Sequence, residues 1–187
     1  MTRHPTNRER LMDAAGDLLY REGLHAATAE RLADHAGLTK PTIYNLFGSK
    51  EALVIESLQR RGEQIRRHIE ERAAAQSTPE RQLMAVLQVH AEMLRSEGFH
   101  GCPLIVAAVQ SPESTETRQL ANAHKAWLRS LLAQFARKAG WRSPDTLAAS
   151  LVLLLEGAAA LASVQPPALV AKQARAAARA VIAAHTS

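Results

Sequence analysis

The chain is punctuated for helices along its whole length, with start and stop signals in pairs. Thr6, with Glu9 three residues on, makes a capping box in which the hydroxyl takes the third helical amide and the carboxylate returns to the cap's own amide. Leu11, Ala14, Ala15, Leu18 and Leu19 follow at the spacing of one helical face, and Gly23 supplies the stop. The pairing recurs from Thr28 to Gly37 around Leu32, Ala33 and Ala36. It recurs again from Thr39 to Gly48, with Pro41 in a first turn where a missing amide costs nothing. Ser49 opens a fourth helix that keeps its spacing through Val54, Leu58, Ile65 and Ile69 to about Ala75.

Later segments are built the same way. Thr78, Pro79 and Glu80 open a helix on Leu83, Val86, Leu87 and Leu94 that Gly98 ends, and a short helix follows Pro103. A long one runs from about Ser114 to Gly140, Ser143-Pro144-Asp145 opens another that Pro166 and Pro167 close, and the last covers about 168–184. No window alternates with period two, so the predicted class is all-α. Composition agrees: about one residue in five is alanine and aromatics are 4%, which suits helices better than strands.

A length of 187 residues allows one domain or two small ones. The boundary is drawn inside the fourth helix, giving 1–54 and 55–187. Cys102 is the single cysteine, which excludes an intrachain disulfide and suits a reducing, cytoplasmic setting. The N-terminal residues lack the apolar stretch of a secretory signal. The apolar run 147–164 is broken by Ser150, Glu156 and Gly157, so a buried helix is expected there and no membrane partner. No phosphate loop, H-E-x-x-H, G-x-S-x-G or carboxylate cluster is present, and no histidines stand at zinc-ligand spacing. An enzyme, a metal site and a cofactor are therefore not expected.

The formal net charge of +5 suggests a polyanionic partner, but its distribution does not locate one. Residues 1–75 carry 12 Lys/Arg against 11 Asp/Glu, so the excess lies in the remainder. The stronger signal is the stretch 28–47, TAERLADHAGLTKPTIYNLF: two short helices joined tightly at Gly37 and Leu38. In a helix-turn-helix the second helix can enter the major groove while the first crosses the backbone. Here that helix would present Lys40, Thr42, Tyr44 and Asn45 outward, donors and acceptors suited to phosphates and base edges, while Ile43 and Phe47 point inward. Lys50 sits in a helix first turn, where its charge opposes the helix dipole, and a phosphate partner would account for it. Helix pairs of this kind also occur as purely structural elements, so a helical ligand-binding or interaction protein is the alternative.

Thr28, Ala36-Gly37-Leu38-Thr39, Thr42-Ile43-Tyr44-Asn45-Leu46-Phe47 and Ser49-Lys50-Glu51-Ala52-Leu53 together resemble the TetR family of bacterial transcriptional regulators, over roughly residues 8–58. The resemblance implies an all-helical protein that binds an operator as a homodimer and is released, as a repressor, by a small-molecule effector. It implies phosphate contacts at Thr28, Tyr44 and Lys50, and base-facing positions at Lys40, Pro41 and Thr42, with Thr39 and Asn45 beside them. Gly101-Cys102-Pro103 is similar to one subgroup's C-terminal domain.

The rest of the chain carries no motif of that strength. An effector pocket is expected among the helices at 79–97, 102–110 and 114–139. Met93, Phe99, Leu104 and Trp127 are its bulky apolar candidates, His90, Gln110 and His124 its polar ones, and Cys102 lies at a helix start. A two-fold operator requires a two-fold protein. Ala149, Leu153, Gly157 and Ala160 place small residues on one face of a helix that is apolar nearly all round, and this face is the expected dimer interface.

Overall fold

The computed structural model describes residues 4–24 and 26–186. Among them are nine helices and no strand: α1 (Asn7–Glu22), α2 (Ala29–His35), α3 (Lys40–Phe47), α4 (Lys50–Ala74), α5 (Pro79–Leu94), α6 (Pro103–Gln110), α7 (Thr115–Lys138), α8 (Pro144–Leu161) and α9 (Pro167–Ala183). Both halves of the first capping box form: Glu9 N–H donates to the Thr6 hydroxyl at 3.2 Å, and Thr6 N–H to the Glu9 carboxylate at 2.7 Å. Thr28 and Thr78 cap their helices by accepting from Arg31 and Arg81 N–H, each at 3.3 Å, and Ser49 accepts from Ala52 N–H at 3.0 Å.

Two expected caps differ. Thr39 has the extended backbone of a cap but its side chain takes no helical amide. Pro41 has no N–H to offer, and Thr42 N–H donates to the Thr39 carbonyl at 2.9 Å, so the Thr39 hydroxyl pairs with that of Thr42 at 2.9 Å instead. Ser143 is left-handed, φ 47°, and makes no cap bond; Pro144 and Asp145 start α8 without it. That helix also stops at Leu161, short of Pro166. Ala162, Ser163 and Val164 N–H groups turn back onto the carbonyls of Ala158, Ala160 and Leu161.

The chain forms two compact units. The first takes residues up to Glu63 together with Pro103–Ala121; the second takes Gln64–Cys102 and the residues from Asn122 on. Packing thus differs from a single cut after residue 54, because α6 sits against α1. The Gln110 side-chain carbonyl accepts from Leu24 N–H at 2.6 Å. Gly23 makes this approach possible: its φ is 83°, and a Cβ there would stand 2.9 Å from Gln110 Nε2.

The first unit's core takes the inward faces expected for the first three helices, with Leu11, Leu32 and Ile43 fully buried, and Leu53, Val54 and Leu58 of α4; Ile65 and Ile69, farther along α4, pack in the second unit. In the second unit two apolar clusters form. One joins Leu83, Val86, Leu128, Leu132, Leu147 and Leu151, and a smaller one joins Ala91, Leu94, Ala158 and Val170. Among the described residues α8 alone is long and apolar enough to cross a membrane. Here Leu147, Ala148, Leu151 and Leu155 are buried, and the helix packs on α5 and α9.

Candidate nucleic-acid interface and second-unit interior

The α2–α3 turn is held by its own backbone and by a clamp from α1. Gly37, φ 61°, takes the left-handed conformation, and Leu38 N–H reaches back to the Ala33 carbonyl at 2.8 Å. Arg10 donates to the carbonyls of Ala36 at 2.7 Å and Gly37 at 3.2 Å, so α1 fixes the angle at which α3 leaves. Only a polar position in an apolar-striped helix marks Arg10 in the sequence, which is too little to reveal the clamp.

With the turn set, α3 divides cleanly. Ile43 and Phe47 are buried; Thr39, Lys40, Pro41, Tyr44 and Asn45 are exposed, and Thr42 is half-buried. Tyr44 is 48% exposed, unusual for a ring with no core to serve and suited to contact with a second molecule. Thr28 is exposed at the start of α2. Lys50 is half-buried in the first turn of α4, and its ion-pair partner among the described residues is the well-exposed Glu51 carboxylate, at 3.4 Å. Arg8 serves the fold: it pairs with Glu56, donates to the Leu46 carbonyl at 2.8 Å and lies over the Phe47 ring, 4.3 Å from its centroid.

The eight pocket candidates do not gather in one unit. Leu104 and Gln110 belong to the first, Leu104 in its core and Gln110 against Leu24. The other six lie in the second. His124 is buried beside Trp127, ring centroids 5.4 Å apart, and accepts at Nδ1 from Arg66 Nε at 3.4 Å. Burial, with Lys125, Arg66 and His90 adding to it, pushes the His124 pKa down to about 3, so the ring is neutral. The same Arg66 lies over Trp127, whose indole N–H donates to Glu70 at 3.2 Å. His90 is also held below its ordinary value, chiefly by burial, and its Nδ1–H donates to the Val86 carbonyl at 2.8 Å.

Lys125 and Glu156 complete this interior, and neither residue stood out as a ligand group in the sequence. Lys125 Nζ meets the Glu156 carboxylate at 2.5 Å. Burial opposes the lysine's charge, but Cys102 and Glu156 outweigh it and hold the pKa above its ordinary value. The pairing also explains a charged residue midway along the apolar α8. Met93 packs on the larger cluster and Phe99 on the smaller. Among the described residues no group of three His, Cys, Asp or Glu is placed to hold a metal.

On α8, Leu153 is 74% exposed, Gly157 and Ala160 are exposed, and Ala149 is half-buried. The helix is therefore covered on one side only.

The profile of the bacterial regulatory proteins of the tetR family matches residues 11–56, a span that holds the α2–α3 turn, α3 and the start of α4. The HTH-type transcriptional regulator BetI of Agrobacterium fabrum is 31% identical over 163 residues, 84% of this chain and 73% of that protein. The fatty acid metabolism regulator protein of Bacillus subtilis is 26% identical over 112 residues, and the HTH-type transcriptional activator FasR of Mycolicibacterium smegmatis 42% over 53; these matches span 57% and 24% of the relatives' own lengths. In fold, the chain is similar to SCO4454, a TetR-family regulator from Streptomyces coelicolor, with a TM-score of 0.91, 23% identity and coverage of 97% and 96% of the two chains. The sav143 protein of Streptomyces avermitilis gives a TM-score of 0.75 and 26% identity, over 94% and 99%. A helix-turn-helix matched by the family profile, together with a relative 31% identical over 84% of the chain, places the chain in the tetR family of DNA-binding bacterial transcriptional regulators.

Proposed function

We propose that this regulator is a repressor that binds a palindromic operator as a homodimer and leaves it when a small-molecule effector binds. The observation that carries the reading is the division of α3, whose buried Ile43 and Phe47 fix a helix that turns Lys40, Pro41, Thr42, Tyr44 and Asn45 outward. In this reading Thr28, Tyr44 and Lys50 hold phosphates, and Lys40, Pro41 and Thr42, with Thr39 and Asn45, face bases. DNA binding belongs to residues 1–54, effector binding and dimerisation to 55–187. The two-fold contact uses the exposed face of α8 at Ala149, Leu153, Gly157 and Ala160, which a second copy would bury. The effector sits by the six candidates of the second unit, where His90, His124 and the Lys125–Glu156 pair supply polar anchors. Release is a population shift: the effector favours the conformer whose two α3 helices no longer meet successive major grooves. The protein works in the cytoplasm, where the operator is.

The test is binding of the full chain to the DNA upstream of its own gene, against shuffled duplex of equal length, at several salt concentrations. Preference for a palindrome, with affinity falling steeply as salt rises, is expected. Equal affinity for shuffled DNA at moderate salt would overturn the reading and favour a structural helix pair. Because one relative is named an activator, a promoter–reporter fusion is scored in both directions: the reporter rises on deletion of a repressor and falls on deletion of an activator.

A further inference from the structure

The second unit holds an open cavity of about 440 Å³ between the end of α4 and helices α5, α8 and α9. Sites for small molecules fall at roughly 300–1,000 Å³. The cavity is a break in the core. Leu87, Leu155 and Ala178 on its wall belong to the larger apolar cluster, and Ala91, Leu94 and Ala174 to the smaller. Protein interiors normally close such seams, and here short alanine side chains leave the space.

The mouth is basic. Arg72, Arg81, Arg175 and Arg179 line it, and no Asp or Glu does. Arg72 is neutralised from outside by a forked pair with Glu92, at 2.9 and 3.2 Å, and Arg175 donates to Gln88 at 3.1 Å. The Arg81 and Arg179 guanidinium groups have no hydrogen-bond or ion-pair partner among the described residues. Arg175 and Arg179 stand one turn apart on α9, a like-charge spacing that costs stability unless an anion lies between. The cavity is separate from the buried histidines: Gln88 on its wall and His90 are two residues apart, about 200° around α5.

We infer that this cavity binds a small amphipathic anion, an alkyl carboxylate, with the chain on Met84, Leu87, Leu94, Leu154 and Leu155 and the carboxylate between Arg81 and Arg179. The apolar floor alone would accept any neutral hydrocarbon. Planar guanidinium groups select a carboxylate, because they can grip both its oxygens. This goes beyond the operator-binding reading and does not depend on it.

The test is calorimetric titration of the purified full chain, without DNA, using decanoate below its micellar concentration, decanol, and decyltrimethylammonium. One saturable decanoate site per chain is expected, with decanol weaker and the cation not bound. The double variant Arg81→Gln/Arg179→Gln, at exposed positions, should bind decanoate about tenfold more weakly or worse, the cost of lost hydrogen bonds to a charge. Ala174→Trp, which fills the floor, should abolish binding while circular dichroism reports an unchanged fold. No saturable site, equal affinity for decanoate and decanol, or decanoate affinity unchanged in the double variant would overturn the assignment. With no DNA in the cell, failure here leaves operator binding standing, and failure of operator binding leaves this site standing.

Discussion

His124 makes native stability depend on pH in a calculable way. Its ring is 2% exposed, accepts a hydrogen bond from Arg66 and stays neutral down to about pH 3, whereas in the unfolded chain it titrates near 6.5. A group whose native pKa is lowered leaves the unfolded state holding the extra proton, so stability is complete above about pH 6.5 and is lost as pH falls toward 3. Between pH 7.5 and 5.5 the unfolded state gains RT ln(1 + 10) less RT ln(1 + 0.1), about 1.4 kcal/mol. Any native pKa below about 4.5 gives nearly the same figure, so the result tests neutrality rather than a particular value. The perturbation is His124→Gln, which keeps an acceptor for Arg66 and removes the titration. Urea unfolding of both proteins, followed by circular dichroism at pH 7.5 and 5.5, provides the comparison. Carboxylates and His90 act in both proteins and cancel in the difference. Wild type should lose about 1.4 kcal/mol more than the variant across that interval. Equal losses would mean that the ring takes up its proton in the native state and is not desolvated.

Other perturbations separate scaffold from contact. Ile43→Ala removes a fully buried side chain beneath α3 and should cost about 2–4 kcal/mol of unfolding free energy, measured by urea titration; a smaller loss than about 1 would mean that α3 is loosely seated. Leu153→Glu should convert dimers to monomers in light scattering with helicity unchanged, because the side chain is 74% exposed within one chain. A dimer that survives would move the interface elsewhere. Lys50→Ala should weaken all duplexes alike and reduce the salt slope by about one, whereas Lys40→Ala and Thr42→Ala should change base preference in a selection from random operators. Identical behaviour of all three variants would dissolve the division between phosphate and base contacts.

The helices were readable because their signals are local. A cap, a glycine stop and a 3.6-residue stripe each act within one or two turns, so Thr6, Thr28, Ser49 and Thr78 appear in the structure as the text of the chain places them. Thr39 misled because a cap needs an available amide, and Pro41 with the Thr42 backbone bond removes both candidates. What depends on distant partners was not readable. Nothing near Gln110 in sequence says that it will meet Leu24, or that α6 will pack with α1. Lys125 beside Glu156, and four arginines drawn to one cavity from α4, α5 and α9, likewise exist only after folding.

The near balance of charge in the first 75 residues has a structural meaning. Several cations there are spent on the scaffold, and they are arginines: Arg8 on Glu56 and Leu46, Arg10 on the α2–α3 turn, Arg31 on Glu22 and Ala26, Arg60 on Asp13. A guanidinium suits that work because its fixed fork can satisfy a carboxylate and a carbonyl together. The two lysines of this region, Lys40 and Lys50, lie instead at the starts of α3 and α4, one exposed and one paired with an exposed neighbouring carboxylate. An ammonium on a flexible stem holds a scaffold poorly but follows a phosphate or a guanine edge well. Net charge therefore understates the capacity for DNA, since arginines paired with carboxylates cancel in the sum, while Lys40 and Lys50 stand where α3 and α4 begin.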